Sequence, residues 1–182
     1  MPVRPIVRLG HPALRTPAQP VPPAHIADPA IQELIDDMVE TMLEARGVGL
    51  AAPQVGEEAQ IFVYQASGPP EIPLQVVINP LVTPHAREVA YDWEGCLSIP
   101  DLRGLVPRHP AVRVQGLDRQ GQPVNYIASG FEARIVQHEY DHLNGVVFLD
   151  RMRDFKTLAF FDEWETYLVG RSPQDLDETA VG

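Results

Sequence analysis

His138 and His142 stand four residues apart in the run Gln137-His138-Glu139-Tyr140-Asp141-His142-Leu143. On a helix that spacing stacks two side chains one turn apart on one face, where both imidazoles can reach a single metal ion. Glu139 then stands beside them at the mouth of the site. His-Glu-x-x-His on a helix is the pattern in which paired histidines bind a metal and the glutamate serves as general base. Two imidazoles leave such an ion in need of a third ligand, and the chain has one cysteine, Cys96. A lone cysteine is either a small buried hydrophobe or, here, the missing ligand. One thiolate and two imidazoles suit tetrahedral Zn²⁺ by ligand chemistry alone. A single cysteine also rules out an internal disulfide.

The elements that must position these groups can be read outward from them. Ser129, with Glu132 three residues on, predicts a capping box for the helix that carries the histidines. Phe131, Ile135, His138 and His142 share one face of that helix, and Asn144-Gly145 ends it. Ahead of it, Val112–Leu117 and Val124–Ile127 alternate as strands around a hairpin turn at Asp118-Arg119-Gln120-Gly121. Gln60–Tyr64 and Leu74–Ile78 are further β-type runs, and a third, Leu81–Tyr91, is interrupted by Pro84. Residues 1–27 are too rich in proline for a long helix and are expected to wrap the surface.

Two more helices flank this set. Asp28 as cap and Pro29 at the first helical position open an amphipathic helix over 29–45, with Ile31, Leu34, Ile35, Met38, Val39, Met42 and Leu43 on its apolar side. It ends at Arg46-Gly47. A last helix is predicted from Asp154 to Leu168, packing Phe155, Leu158, Phe161, Trp164, Tyr167 and Leu168 onto the sheet. The reading is an α+β fold: mixed or antiparallel sheets around a central metal-binding helix, with one helix before and one after.

The chain has 182 residues, 45% of them hydrophobic, which is enough for one core; residues 1–170 are expected to form a single catalytic domain and 171–182 a frayed acidic tail. Twenty-five acidic against 14 basic residues give a net charge of −11, which repels phosphate backbones and anionic membranes. Stable nucleic-acid binding is therefore not expected. No run reaches membrane-spanning length, no signal-type apolar segment opens the chain, and a cytoplasmic setting is expected. In Gly47-Val48-Gly49-Leu50-Ala51-Ala52-Pro53-Gln54 the glycines lack both the G-x-G-x-x-G spacing and a phosphate-loop lysine. Small residues there let a backbone approach another backbone or a ligand closely, and Gln54 closes the run with an amide able to donate a hydrogen bond.

Three motifs in this order, Gly47–Gln54, Glu94-Gly95-Cys96-Leu97-Ser98 and Gln137–Leu143, closely resemble peptide deformylase, as does Leu9-Gly10-His11-Pro12-Ala13-Leu14-Arg15 near the start. The resemblance covers residues 6–153. It implies removal of the formyl group from the N-terminal formylmethionine of new proteins. Cys96, His138 and His142 match the metal ligands, leaving a fourth position for water. Glu139 matches the catalytic acid/base, and Gln54 and the backbone N–H of Leu97 match the donors that stabilise the oxyanion. Gly49 matches a backbone contact to the substrate. Arg103 matches a substrate contact, with an exposed salt bridge as the alternative. The family's ion is Fe²⁺, with Zn²⁺, Ni²⁺ and Co²⁺ as substitutes. N-formylmethionyl nascent peptides are the implied partners, with transient ribosome contact.

Around these, Asp141 is expected to pair with Arg108, and Glu94 to hold a backbone or arginine partner near Cys96. One departure stands out. Many bacterial members are continuously apolar before the glutamine of the metal helix. Here Ala128-Ser129-Gly130-Phe131-Glu132-Ala133-Arg134 resembles the organelle-type branch, and Arg134 is placed to narrow or polarise the methionine pocket. Two rival readings stay open. A His-Glu-x-x-His endopeptidase needs a downstream ligand, and no histidine follows His142. A structural metal site needs four protein ligands, the fourth drawn from His11, His25, His85 or His109.

Overall fold

In the computed structural model, which describes residues 3–171, a proline-rich N-terminal segment leads into α1 (Pro29–Glu44). Then come β1 (Gly49–Ala51), β2 (Ile61–Ala66), β3 (Ile72–Pro84), β4 (Ala90–Cys96), β5 (Ile99–Arg108), β6 (Ala111–Leu117) and β7 (Pro123–Ser129). α2 (Phe131–Leu143) carries the paired histidines. Short α3 (Phe148–Arg151), β8 (Ala159–Phe160) and α4 (Phe161–Glu163) follow, the last running into a π turn at Trp164–Leu168. The tail expected over 171–182 lies outside the described residues except for Arg171.

One sheet has the order β1-β2-β3-β6-β7 and the other β4-β5-β8, with antiparallel neighbours. The unbroken apolar run Ile61-Phe62-Val63-Tyr64 shows how the large sheet is used. Successive strand residues point to opposite faces, so such a run belongs to a strand covered on both sides. Ile61 and Val63 pack with Leu34, Ile35, Met38 and Met42 of α1. Phe62 and Tyr64 pack with Ala133, Ile135, Val136 and Leu143 of α2. At roughly 1.5–3 kcal/mol for each large apolar side chain buried, this layer fixes α2 firmly. A third cluster joins Cys96, Ile99 and Val106 to Val147, Phe148 and Met152, and so presses the β4–β5 hairpin onto the chain leaving α2.

The N-terminal segment wraps the surface and ties the site from behind. Val7 N–H donates to Gln54 O at 2.9 Å, Leu9 N–H to Ser98 O at 2.9 Å, and Ala18 N–H to Leu143 O at 2.9 Å.

Several local expectations change. Asp28 sits at the cap of α1, but its carboxylate meets His25 Nδ1 at 2.7 Å and makes no capping bond. Leu43 is 49% exposed, while acidic Asp37 is buried and paired with Arg4 at 3.0 Å. The predicted capping box of α2 does not form. Ser129 ends β7, and Gly130 turns the chain directly into the helix at φ 58°, a conformation glycine adopts without strain. Glu132 instead accepts from the Tyr64 hydroxyl at 3.0 Å.

Pro84 ends β3, so the run 81–91 is split between two sheets. The Pro- and Arg-rich stretch after Cys96 is a strand, β5. Its prolines are tolerated because β8 covers that edge only at Leu102 and Arg103. Helix also begins later than Asp154. Asp154 caps a 3-10 turn at Phe155–Thr157, and β8 then pairs with β5. Phe155 and Tyr167 are both 62% exposed, so they do not join the expected packed face.

Candidate active site

α2 places His138 and His142 with ring centroids 5.0 Å apart, and the end of β4 brings Cys96 against them. Cys96 Sγ lies 3.3 Å from His142 Nε2, and one ligand atom from each of the three residues falls within 4.8 Å of the others. The thiol, some forty positions upstream in sequence, thus stands beside the two imidazoles.

His138 is held by its surroundings, whereas His142 Nδ1 is buried without a partner among the described residues. His138 Nδ1 is 2.9 Å from Glu94 Oε2, which leaves the opposite ring nitrogen for the cluster. Glu94 is gripped in turn by the fork of Arg108, Nε to Oε1 at 2.8 Å and Nη2 to Oε2 at 3.0 Å, and by Arg134 Nη1 at 2.9 Å. Arg108 also reaches Asp141 Oδ2 at 2.5 Å, and Arg151 Nη2 reaches Asp141 Oδ1 at 2.6 Å. Asp141 therefore pairs with Arg108, as expected. Arg134 also donates to Val106 O at 3.0 Å and to Ala90 O at 2.9 Å. Its charge faces Glu94 and backbone carbonyls, although the residue does line the cleft.

These contacts set the charges. Burial works against an ionised Glu94, but the hydrogen bonds from His138 and Arg108 outweigh it and hold the carboxyl well below the usual carboxylate range. Burial also works against a charged His138, but hydrogen bonds to Cys96 and Glu94 raise it well above the ordinary imidazole value. For His142, burial and the nearby His138 act together and hold it well below that value. Glu139 lies beside Gly49, with Oε2 buried and unpartnered among the described residues, and burial pushes its carboxyl up to about 7. A carboxyl poised there can both take and return a proton near neutral pH.

Gln54 is fixed by its own backbone neighbour. Its Oε1 accepts from Ala51 N–H at 2.9 Å, which aims Nε2 at the cluster, 3.6 Å from Cys96 Sγ and 3.3 Å from Ser98 Oγ. Leu97 stands at the turn between β4 and β5, next to Cys96. A cleft of about 450 Å³ opens onto the group, lined by Gly49, Gln54, Leu97, Arg103, His138 and Glu139 among others, with Val48, Trp93, Phe131 and Ile135 as apolar wall. Every residue that the sequence placed at the site belongs to this cleft or to the cluster beneath it. Among the described residues Arg103 forms no ion pair; its guanidinium stacks on Phe161 at 4.7 Å from the ring centroid.

Sequence reasoning did not find the contact of Glu94 with His138. A signal existed: Glu94 lies two residues from Cys96 in the same motif. Phe161 and Trp164 beside Arg103 had no such signal, since nothing local says where a C-terminal segment will pack.

The donor set fits a divalent transition metal: one thiol, two imidazoles, one imidazole oriented by a carboxylate, and an unpartnered buried carboxyl alongside. Among the described residues the cluster has three protein ligands and opens on the cleft, unlike a closed structural site. Its third ligand lies upstream, against the endopeptidase pattern.

A family model for polypeptide deformylase matches residues 3–157. Peptide deformylase 2 of Pseudomonas putida is 44% identical over 164 residues, covering 87% of this chain and 92% of that protein. Peptide deformylase 2 of Nostoc sp. is 46% identical over 155 residues, covering 81% and 85%. Among solved structures, a class I type b peptide deformylase from Acinetobacter baumannii superposes with a TM-score of 0.81 at 40% identity, covering 84% of this chain and all of that one. The peptide deformylase of Thermotoga maritima superposes with a TM-score of 0.78 at 36% identity. By sequence and by fold, the chain belongs to the peptide deformylase family, metal-dependent enzymes that remove the N-formyl group from nascent peptides.

Proposed function

We propose that Cys96, His138 and His142 hold the metal, that Glu139 is the acid/base, and that the substrate is the formylmethionine end of a new protein. The observation that carries this is the three-donor cluster within 4.8 Å on the floor of an open cleft, with the unpartnered carboxyl of Glu139 beside it. Fe²⁺ is the proposed ion, with Zn²⁺, Ni²⁺ and Co²⁺ as substitutes. Bound there, such an ion supplies a Lewis acid that polarises the formyl oxygen and makes water a nucleophile near neutral pH.

The chain's own groups do the rest. Glu139 takes a proton from the attacking water and returns it to the departing amine as the C–N bond breaks, giving formate and a free N-terminus. Gln54 Nε2 and the Leu97 N–H donate to the formyl oxygen as negative charge develops on it, each worth about 3 kcal/mol in such sites. Gly49 offers its backbone to the peptide beside Glu139, and Arg103 donates to the peptide further along. Val48, Trp93, Phe131 and Ile135 give the methionine side chain an apolar wall.

Residues 1–170 act as one catalytic unit, supported by the family match over 3–157 and by the pairing of β8 with β5. Among the described residues no helix is long and apolar enough to cross a membrane. A cytoplasmic setting with transient ribosome contact fits an enzyme whose substrate is a nascent chain.

The test is formate release from a formylmethionyl tripeptide, beside an unformylated peptide and a peptide offering internal bonds. Release from the first alone is expected; internal cleavage would favour the endopeptidase. Anaerobically purified protein is expected to carry iron and to lose activity in air, while its Ni²⁺ form keeps it. Equal air stability of the two forms would count against iron.

A further inference from the structure

Arg103 is positioned by residues that no motif includes. β8 pairs with β5 at Leu102↔Phe160 and Arg103↔Ala159, which brings the chain after Ala159 alongside Arg103. From there the Arg103 guanidinium stands over the ring of Phe161 at 4.7 Å and that of Trp164 at 5.9 Å from the centroids. Phe161 and Trp164 lie against each other at 5.6 Å, and Trp164 meets Trp93 edge-on at 6.1 Å. Trp93 and Arg103 both line the substrate cleft, and Phe161 and Trp164 do not.

The guanidinium is also unusually uncommitted. Among the described residues it makes one hydrogen bond, Nη1 to Leu102 O at 2.8 Å, and no ion pair. Four of its five N–H groups therefore remain for a ligand. Its place depends on bare backbone opposite: a Cβ on Gly95 would lie 2.1 Å from Nη1. An arginine clamped by stacking keeps its donors in a fixed plane, which suits peptide carbonyls better than a mobile surface charge does.

We infer that Phe161 and Trp164 are positioning residues for substrate binding: they hold Arg103 as the donor to peptide carbonyls beyond the formylated residue. The C-terminal segment thereby becomes part of the peptide-binding apparatus. The inference rests on the deformylase reading and adds a determinant of substrate length.

The experiment compares formylmethionyl-alanyl-serine with formylmethionine amide in the metal-loaded enzyme. For Trp164→Ala, KM for the tripeptide is expected to rise about tenfold, the size of a desolvated cation–π contact, with kcat retained. kcat/KM for the amide, which lacks the carbonyls assigned to Arg103, falls by a clearly smaller factor, since Trp164 touches the methionine wall only through Trp93. Trp164→Phe, which keeps a ring, restores most of the tripeptide KM, and Arg103→Ala with Trp164→Ala is no worse than Arg103→Ala alone. Unchanged tripeptide KM in Trp164→Ala, equal losses on both substrates, or additive losses in the double variant overturn the inference. Failure of the wild-type enzyme to release formate from either substrate overturns the deformylase reading itself.

Discussion

Gly49 and Glu139 approach so closely that a Cβ on Gly49 would lie 2.3 Å from Glu139 Oε1. Glycine is required there by contact, since the second glycine of the Gly47–Gln54 run packs its backbone against the Glu139 carboxyl. Gly49→Ala is expected to push that carboxyl aside and lower kcat/KM by about 100-fold, as a displacement near 1 Å can do. Thermal unfolding should change far less than activity. An alanine variant with normal kcat/KM would show that the contact does not set the position of Glu139.

Glu94 joins the metal site to the buried arginines, and acid should expose its contribution. Burial alone would raise its pKa, but the His138 and Arg108 hydrogen bonds win and depress it. A depressed carboxyl contributes stability that is fully present above its unfolded value of about 4.3 and is lost as pH falls through the folded value. Urea midpoints are therefore expected to drop on acidification below about pH 5. Glu94→Gln should flatten that dependence and cost about 3 kcal/mol at pH 7, because Arg108 and Arg134 lose a buried partner. A Glu94→Gln protein as stable as the wild type at pH 7 would contradict this.

How far the sequence alone reached follows from the range of each interaction. The four-residue spacing of His138 and His142 is a local helical fact, and the helix formed where the spacing required it. The apolar period of α1 placed it correctly, although Asp37 turned inward because Arg4, distant in sequence, was there to pair with it. Cys96 could be assigned only through the family resemblance, since nothing local carries a strand end across to a helix. Asn144-Gly145 ends α2 as expected, but its N-terminal cap and the C-terminal helix were misread where tertiary contacts overrode local rules. Tyr64 took Glu132 from its capping role, and pairing with β5 drew Ala159–Phe160 out of the helix. Arg134 does line the cleft, and what the sequence does not reveal is that Glu94, Ala90 O and Val106 O tie three of its donors.

Metal uptake should depend on pH through His138. Without metal, burial disfavours its charge, but Cys96 and Glu94 overcome that and keep it protonated above the ordinary imidazole range, while burial keeps His142 neutral. A metal binds only the neutral ring, so entry of the ion expels the His138 proton. Affinity is expected to rise with pH, by about tenfold per unit for each proton released, as long as His138 is protonated in the metal-free protein. Chelator competition at pH 6, 7 and 8 measures the slope. A flat profile would mean that His138 is already neutral.

The most direct measurement takes metal content and formate release together, on purified Glu139→Ala and Cys96→Ala proteins beside the wild type. If the cluster holds the ion and Glu139 moves the proton, Glu139→Ala keeps its metal and loses turnover by at least about 100-fold. Cys96→Ala loses both. Near-normal turnover in Glu139→Ala, or full metal occupancy in Cys96→Ala, would contradict the account.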